Sequence, residues 1–317
     1  MKQLIVAGEA CMVFGCAGLE WREMAAIRTD RPPGVVLRAL SRKVFADIVK
    51  DLEAASRGGG VHAVRKRLKL MRSLFRLVRP CVSRPEFERA DDHLRRAADL
   101  LAGARRAEAM QEAAAKLKGA GWPPGGAAGE LAEAARLAHR DRSSPQALQE
   151  AAREALPHIE AARSDVAGWK LIKGDIRPYA GAMADLYRMA RRRLRKGLAS
   201  GDAARLHRAR KSVIHHLHHL EIVRRLWPAL FGVWTSELLK LREALGDLND
   251  LDELEKLIAG QPAVFSSEAR YSEALAAMKT RRAGLVEQVQ SHSFRLFVER
   301  PSAFRARIGA MWRSNMK

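Results

Sequence analysis

Two short stretches hold the clearest chemistry in this sequence: His62-Ala63-Val64-Arg65-Lys66 and His207-Arg208-Ala209-Arg210-Lys211. Each brings an imidazole, a guanidinium and an ammonium group within reach of one another on a helix. Arginine offers a planar fork of donors to an oxyanion, lysine a compact point charge, and histidine a donor whose charge titrates near neutral pH. With His62 as origin and about 100° per residue, Arg65, Lys66, Lys69, Arg72 and Arg76 share an arc of roughly 120° with it. Leu68, Met71, Phe75 and Val78 are left for packing. On the second stretch His207, Arg210, Lys211 and His218 share the corresponding arc, with Leu206, Val213, Leu217 and Leu220 on the apolar side. A charge run of this kind is ordinarily a solvated face. Two copies with the same start instead point to facing basic stripes around a shared groove, which would focus positive potential on a chain of phosphates.

Two further clusters compete for attention. His215 and His219 stand four residues apart, a spacing that can chelate a divalent metal, within His215-His216-Leu217-His218-His219. No third ligand is fixed by the sequence, and the rings spread over a wide arc, so they are weak metal candidates. Their partial protonation would add pH-tunable charge beside the basic stripe. Asp247, Asn249, Asp250 and Asp252 could form an acid–base cluster, but Asp247 and Asp250 share a face that Asp252 does not. Asp250 is better read as a partner that orients a basic group. No Walker loop, nucleophile elbow, H-E-x-x-H or Rossmann glycine pattern is present, so a non-enzymatic protein with no cofactor is expected.

The elements that must position these residues read as helices almost throughout. Val36, Leu40, Val44, Ile48 and Leu52 mark a helix over Val35–Ala55, ended by Gly58-Gly59-Gly60. Further helices are expected from Val61 to about Arg79, from Pro85 to about Lys118, and over Glu130–Lys173 with breaks at Ser143-Ser144-Pro145 and Pro157. Gly119 to Gly126 is the clearest loop. Tyr179–Lys196, Asp202–Trp227, Ala229–Ala259 and Ser266–Val298 complete an all-α chain. The two histidine stretches lie 207 − 62 = 145 residues apart, about the size of one four-helix bundle with its loops. Two helical bundles over 35–173 and 174–317, after an N-terminal segment 1–34, is the simplest organisation.

Composition narrows the partners. The 317 residues contain 57 Lys+Arg against 36 Asp+Glu, a net charge of +21. A folded chain under that self-repulsion points to a polyanion: nucleic acid, anionic lipid or polyphosphate. Three cysteines, Cys11, Cys16 and Cys81, fit a reducing compartment and give neither a disulfide framework nor a zinc site. The apolar Leu4–Gly15 run is interrupted by Glu9, which argues against a signal peptide, and no stretch of about 18 apolar residues spans a membrane. A cytoplasmic protein is expected. Trp169, Trp227 and Trp234 read as core or interface anchors rather than base-stacking platforms.

The paired His-x-x-Arg-Lys helices, together with Leu245-Gly246-Asp247-Leu248-Asn249-Asp250-Leu251-Asp252, resemble the CHAD family, the conserved histidine α-helical domain. The likeness runs from about Val35 to Val298. It implies two pseudo-symmetric four-helix bundles packed around a basic central channel that binds inorganic polyphosphate, with a possible place at polyphosphate granules. Carried over, it puts His62, Arg65, Lys66, Lys69, Arg72 and Arg76 on the first phosphate-contacting helix and His207, Arg210 and Lys211 on the second. Tyr187 and Arg191 resemble the family's basic helix at the start of the second half, and Arg38 and Arg42 are weaker candidates, with Lys43 beside them. Ile214 stands where the first repeat has Lys69, and Arg106, within Ala102–Glu108, stands where the family has an acid. Glu253-Leu254-Glu255-Lys256 is out of register with the Glu-x-Glu-x-Lys strand of the triphosphatase domains attached to some CHAD proteins. Polyphosphate is thus the expected partner. A nucleic-acid-binding protein and a metal-binding regulator built on His215 and His219 are the alternatives; protein partners are not legible.

Overall fold

The computed structural model describes residues 31–102, 129–130, 145–172, 174–260 and 265–315. These form nine α-helices and no strand. They are α1 (Pro33–Ser56), α2 (His62–Val78), α3 (Arg84–Leu100), α4 (Pro145–Ala167), α5 (Arg177–Ser200), α6 (Ala203–Ile222), α7 (Pro228–Ala259), α8 (Glu268–Leu296) and α9 (Pro301–Asn315). Short 3₁₀ turns at Arg79–Cys81 and Arg224–Leu226 close α2 and α6. The expectations for the segment 1–30, for the Arg105–Arg106 stretch and for the Gly119–Gly126 loop lie outside the described residues.

Local sequence explains the boundaries. Prolines 33, 178 and 228 sit in the first turn of α1, α5 and α7, where their missing N–H costs nothing. Ser83 and Glu86 form a reciprocal capping box that starts α3. Asp202 accepts from the Arg205 backbone N–H at 2.6 Å and starts α6. Along α1 the buried stripe is Leu37, Leu40, Val44, Phe45, Ile48 and Leu52, with Val36 only partly covered.

Two expectations need correction. Pro157 does not interrupt α4. Its ring is exposed, while Ala155 and Ile159 on the other side are fully buried, so packing offsets the single lost hydrogen bond. The last helix, α9, was not anticipated, although Phe304, Ile308 and Trp312 recur every four residues and are all buried.

Helix α1 packs on α2 and α4, and α4 on α3; further along the chain α5 packs on α6 and α9, α6 on α7, and α7 on α8. Helix α2 touches members of both sets, because it also packs on α5 and α6. One continuous apolar core runs through both sets, including Phe75 against Trp169 with ring centroids 4.8 Å apart. The element that carries the first histidine stretch is therefore packed directly against the element that carries the second.

Candidate functional site

Helices α2 and α6 meet at Ser73, a fully buried serine on the basic face of α2. Its hydroxyl lies 2.7 Å from the Lys69 carbonyl, 2.7 Å from His215 Nδ1 and 2.8 Å from His218 Nδ1. A hydroxyl has one proton, and the Lys69 carbonyl can only accept it, so both imidazoles donate Nδ1–H to Ser73. His219 Nε2–H donates to the Ser73 carbonyl at 2.8 Å. Burial pushes the His215 pKa well below its ordinary value, and brings His216 and His218 to about 3 and His219 to about 4. The histidine run is thus a neutral polar seam. It is neither a source of tunable charge nor, with both candidate rings turned to Ser73, an open chelating pair. Among the described residues no group of three or more His, Cys, Asp or Glu could hold a metal ion.

The crossing divides the stripe that the sequence presents as continuous. Toward the N-terminus of α2, Lys66 and Lys69 lie in the field of His218, and so does Arg242 from α7. Arg242 also lies in the field of Arg210. Arg210 packs along α7 with its guanidinium over Gly246: a Cβ there would sit 3.2 Å from Nη2 and 3.4 Å from Nε. A side chain there would push the guanidinium back by a few tenths of an ångström. Burial lowers the Arg210 pKa, while Asp250 and Asp247 favour its charge, and its Nε has no hydrogen-bond partner among the described residues. His207 is oriented by Asn249, Nδ1 to Oδ1 at 2.6 Å, and its pKa is lowered by burial and by Lys211. Lys211 and His62 are exposed. Arg65 donates to the carbonyl of Leu101, the C-cap of α3, at 2.7 Å.

On the far side of the crossing stand Arg72 and Arg76. Arg72 reaches Asp91 at 3.4 Å, and Arg76 donates to the Arg72 carbonyl at 2.7 Å. Burial, then the neighbouring Arg72 and Arg193 charges, bring the Arg76 pKa down to about 10 although Asp91 opposes them. These two arginines share a helix face with Lys66 and Lys69, but α6 separates them in space.

Other expected site residues are occupied structurally. Tyr187 is 1% exposed, stacked on Phe304 at 4.9 Å, and its hydroxyl donates to the Glu299 carbonyl at 3.1 Å. Its large ring is worth more in the core than at a wet phosphate site. Arg191 is exposed and donates to the same carbonyl at 3.2 Å. Arg38 donates to the carbonyls of Ala167 and Trp169, where a cation complements the C-terminal end of α4. Arg42 is exposed, and Lys43 pairs with Asp47 at 3.6 Å. Of the tryptophans, Trp169 is buried and Trp234 stacks under Arg307, while Trp227 is 54% exposed. Arg242 and Ser73 were missed. The signal for Arg242 was its place four residues before Gly246 on one face of α7; for Ser73 it was the offset of 145 residues to His218.

A family model for the CHAD domain matches residues 39–259. Among solved structures, the fold is similar to the crystal structure of the CHAD domain from the plant Ricinus communis. The TM-score is 0.52 and the identity 18%, over 90% of this chain and 94% of that one. No curated protein matches the sequence.

Proposed function

The chain belongs to the CHAD family, and from that premise we propose that it binds inorganic polyphosphate along a basic channel between two pseudo-symmetric helical halves, 35–173 and 174–317. The observation that carries this reading is the crossing of α2 and α6 at Ser73 and His218, which are 218 − 73 = 145 residues apart, the same offset as the two histidine motifs. Where equivalent residues of two repeats touch, an approximate two-fold axis passes between them. The motifs then flank that axis on a common face. Lys66, Lys69 and Lys211 are the cations on it best placed to meet a ligand. Arg210, drawn out of water with an unpartnered Nε, and Arg242 supply charge from below.

Binding consists of many charge-assisted hydrogen bonds to successive phosphoryl oxygens, with release of condensed counterions. His207 contributes from a position fixed by Asn249, with its pKa lowered by burial and by Lys211 in the unliganded protein. The proposed role is binding without catalysis. The ligand would place the protein in the cytoplasm, at polyphosphate granules. Among the described residues no helix is long and apolar enough to cross a membrane.

The test is a competition titration at near-physiological salt, with labelled long-chain polyphosphate challenged by duplex DNA, single-stranded RNA and heparin. Polyphosphate should resist all three at matched charge concentration. A Lys66→Ala/Lys69→Ala/Lys211→Ala variant should weaken binding by roughly a thousandfold, at about 1.5 kcal/mol for each of the charged hydrogen bonds lost. Equal displacement by DNA or RNA would instead identify a general polyanion surface and favour nucleic acid.

A further inference from the structure

Away from the motif face, the hairpin of α5 and α6 encloses a cleft of about 650 Å³. Five cations line it: Arg192, Arg193 and Lys196 from α5, Arg205 and Arg208 from α6. The rest of its lining, Ala199 and Ser200, is small and uncharged. The α5–α6 connection is tight, turning at Gly201 with φ +61° in the left-handed region. Arg205 and Arg208 lie about 100–160° round α6 from His207, so the cleft and the motif occupy different faces of one helix.

Several cations on other faces have acids beside them: Arg67 with Asp51, Arg84 with Glu88, Arg188 with Asp185, Arg282 with Asp252 and Glu255. Arg192, Lys196, Arg205 and Arg208 have no carboxylate partner among the described residues. The nearest acid in sequence, Asp202, is committed to capping α6 through the Arg205 backbone N–H. Arg193 lies deeper and is fixed by donating to Ser212 Oγ at 2.8 Å. Its pKa is lowered by burial and then by the charges of Arg192 and Arg208. Gathering like charges on two packed helices costs stability that an anion would restore.

We infer that this cleft is a second phosphate site, separate from the motif face, that holds a short run of condensed phosphoryl groups. A cleft of this volume is larger than one phosphate needs, and cations from two helices can grip successive groups from both sides. No aromatic platform and no Asn or Gln lines it, so the bases of a nucleic acid would find neither stacking nor edge recognition. The ligand class is taken from the reading above; the residues are not.

Titration calorimetry of the full chain with tripolyphosphate separates the two sites. The wild type should show two classes of binding per chain. Replacing Arg192, Lys196, Arg205 and Arg208 together by Ala should abolish one class, weakening it by roughly a hundredfold or more. All four are exposed, so the helical signal and melting temperature serve as folding checks, and Arg193 is left to hold Ser212. The Lys66→Ala/Lys69→Ala/Lys211→Ala variant should keep the cleft class and lose the other. A charge-matched control replaces Arg84, Arg163, Arg188 and Lys240, which are exposed and already paired. If the cleft variant retains both classes, or loses no more than this control, the cleft is not a site, whatever the motif face does. If the wild type shows a single class that the cleft variant loses and the Lys66→Ala/Lys69→Ala/Lys211→Ala variant keeps, the motif-face reading fails and the cleft stands. No binding to the wild type would overturn both.

Discussion

A single hydroxyl at Ser73 serves the Lys69 carbonyl, His215 and His218, and the adjoining carbonyl serves His219. Ser73→Ala would leave two largely buried imidazole N–H groups without an acceptor. At about 1–3 kcal/mol for each unsatisfied group, urea unfolding should report a loss of about 2–5 kcal/mol. A loss below about 0.5 kcal/mol would mean that the rings find other partners and that the seam does not depend on the serine. Residue chemistry was only partly legible beforehand. The motif histidines and arginines could be named from spacing alone, because helix periodicity fixes which residues share a face. What shares that face with them cannot be read from one helix: Ser73 lies in the middle of the basic arc, and only the arrival of α6 over it shows that the arc is divided. The surroundings of Tyr187 were hidden for a related reason. A tyrosine among arginines looks like a surface donor until Phe297 and Phe304, over a hundred residues later, enclose its ring.

At the scale of elements, most helices follow from their apolar stripes, caps and first-turn prolines. The errors fall where tertiary packing outweighs local preference, at Pro157, or where the pattern is short, at α9. The packed pair α2 and α6 makes a pH prediction that no isolated helix would. His216, His218 and His219 are held neutral, with folded pKa values near 3, 3 and 4 against an ordinary 6.5. Below pH 6.5 the unfolded chain binds protons that the folded chain refuses, so stability falls as pH falls and continues to fall until the folded pKa values are reached. At pH 5 the loss is roughly 2 kcal/mol for each such histidine. Chemical denaturation between pH 7.5 and 5 should show the midpoint dropping steeply, and His218→Asn should flatten that slope by about a quarter, since His215 is depressed as well. A midpoint that holds level over this range would mean that the rings are reached by water and titrate normally.

At the scale of the whole molecule the net charge of +21 is the dominant fact, and the structure gives it a distribution that counting cannot. Many ion pairs join residues three or four apart on one exposed helix face, such as Arg84 with Glu88 and Lys240 with Glu237. Pairs of that kind contribute a few tenths of a kcal/mol and leave the excess charge in place. Part of the excess lies in the α5–α6 cleft, where cations from two helices face one another. Repulsion of this sort can be relieved in two ways that differ in their salt response. Simple screening by NaCl acts on every exposed charge and shortens the reach of all of them. A polyanion seated in built sites acts by mass action: at a hundredfold excess over Kd it stabilises by about 2.7 kcal/mol, roughly 5–10 °C in melting temperature for a chain of this size. Polyphosphate should therefore raise the melting temperature at micromolar phosphate, where NaCl of the same ionic strength does nothing. The shift should shrink as salt is added, because each phosphate contact releases counterions into a more concentrated bath. If NaCl at equal ionic strength reproduced the shift, the charge would be acting as a diffuse field. Substitutions on either face would then matter only in proportion to the charge they remove.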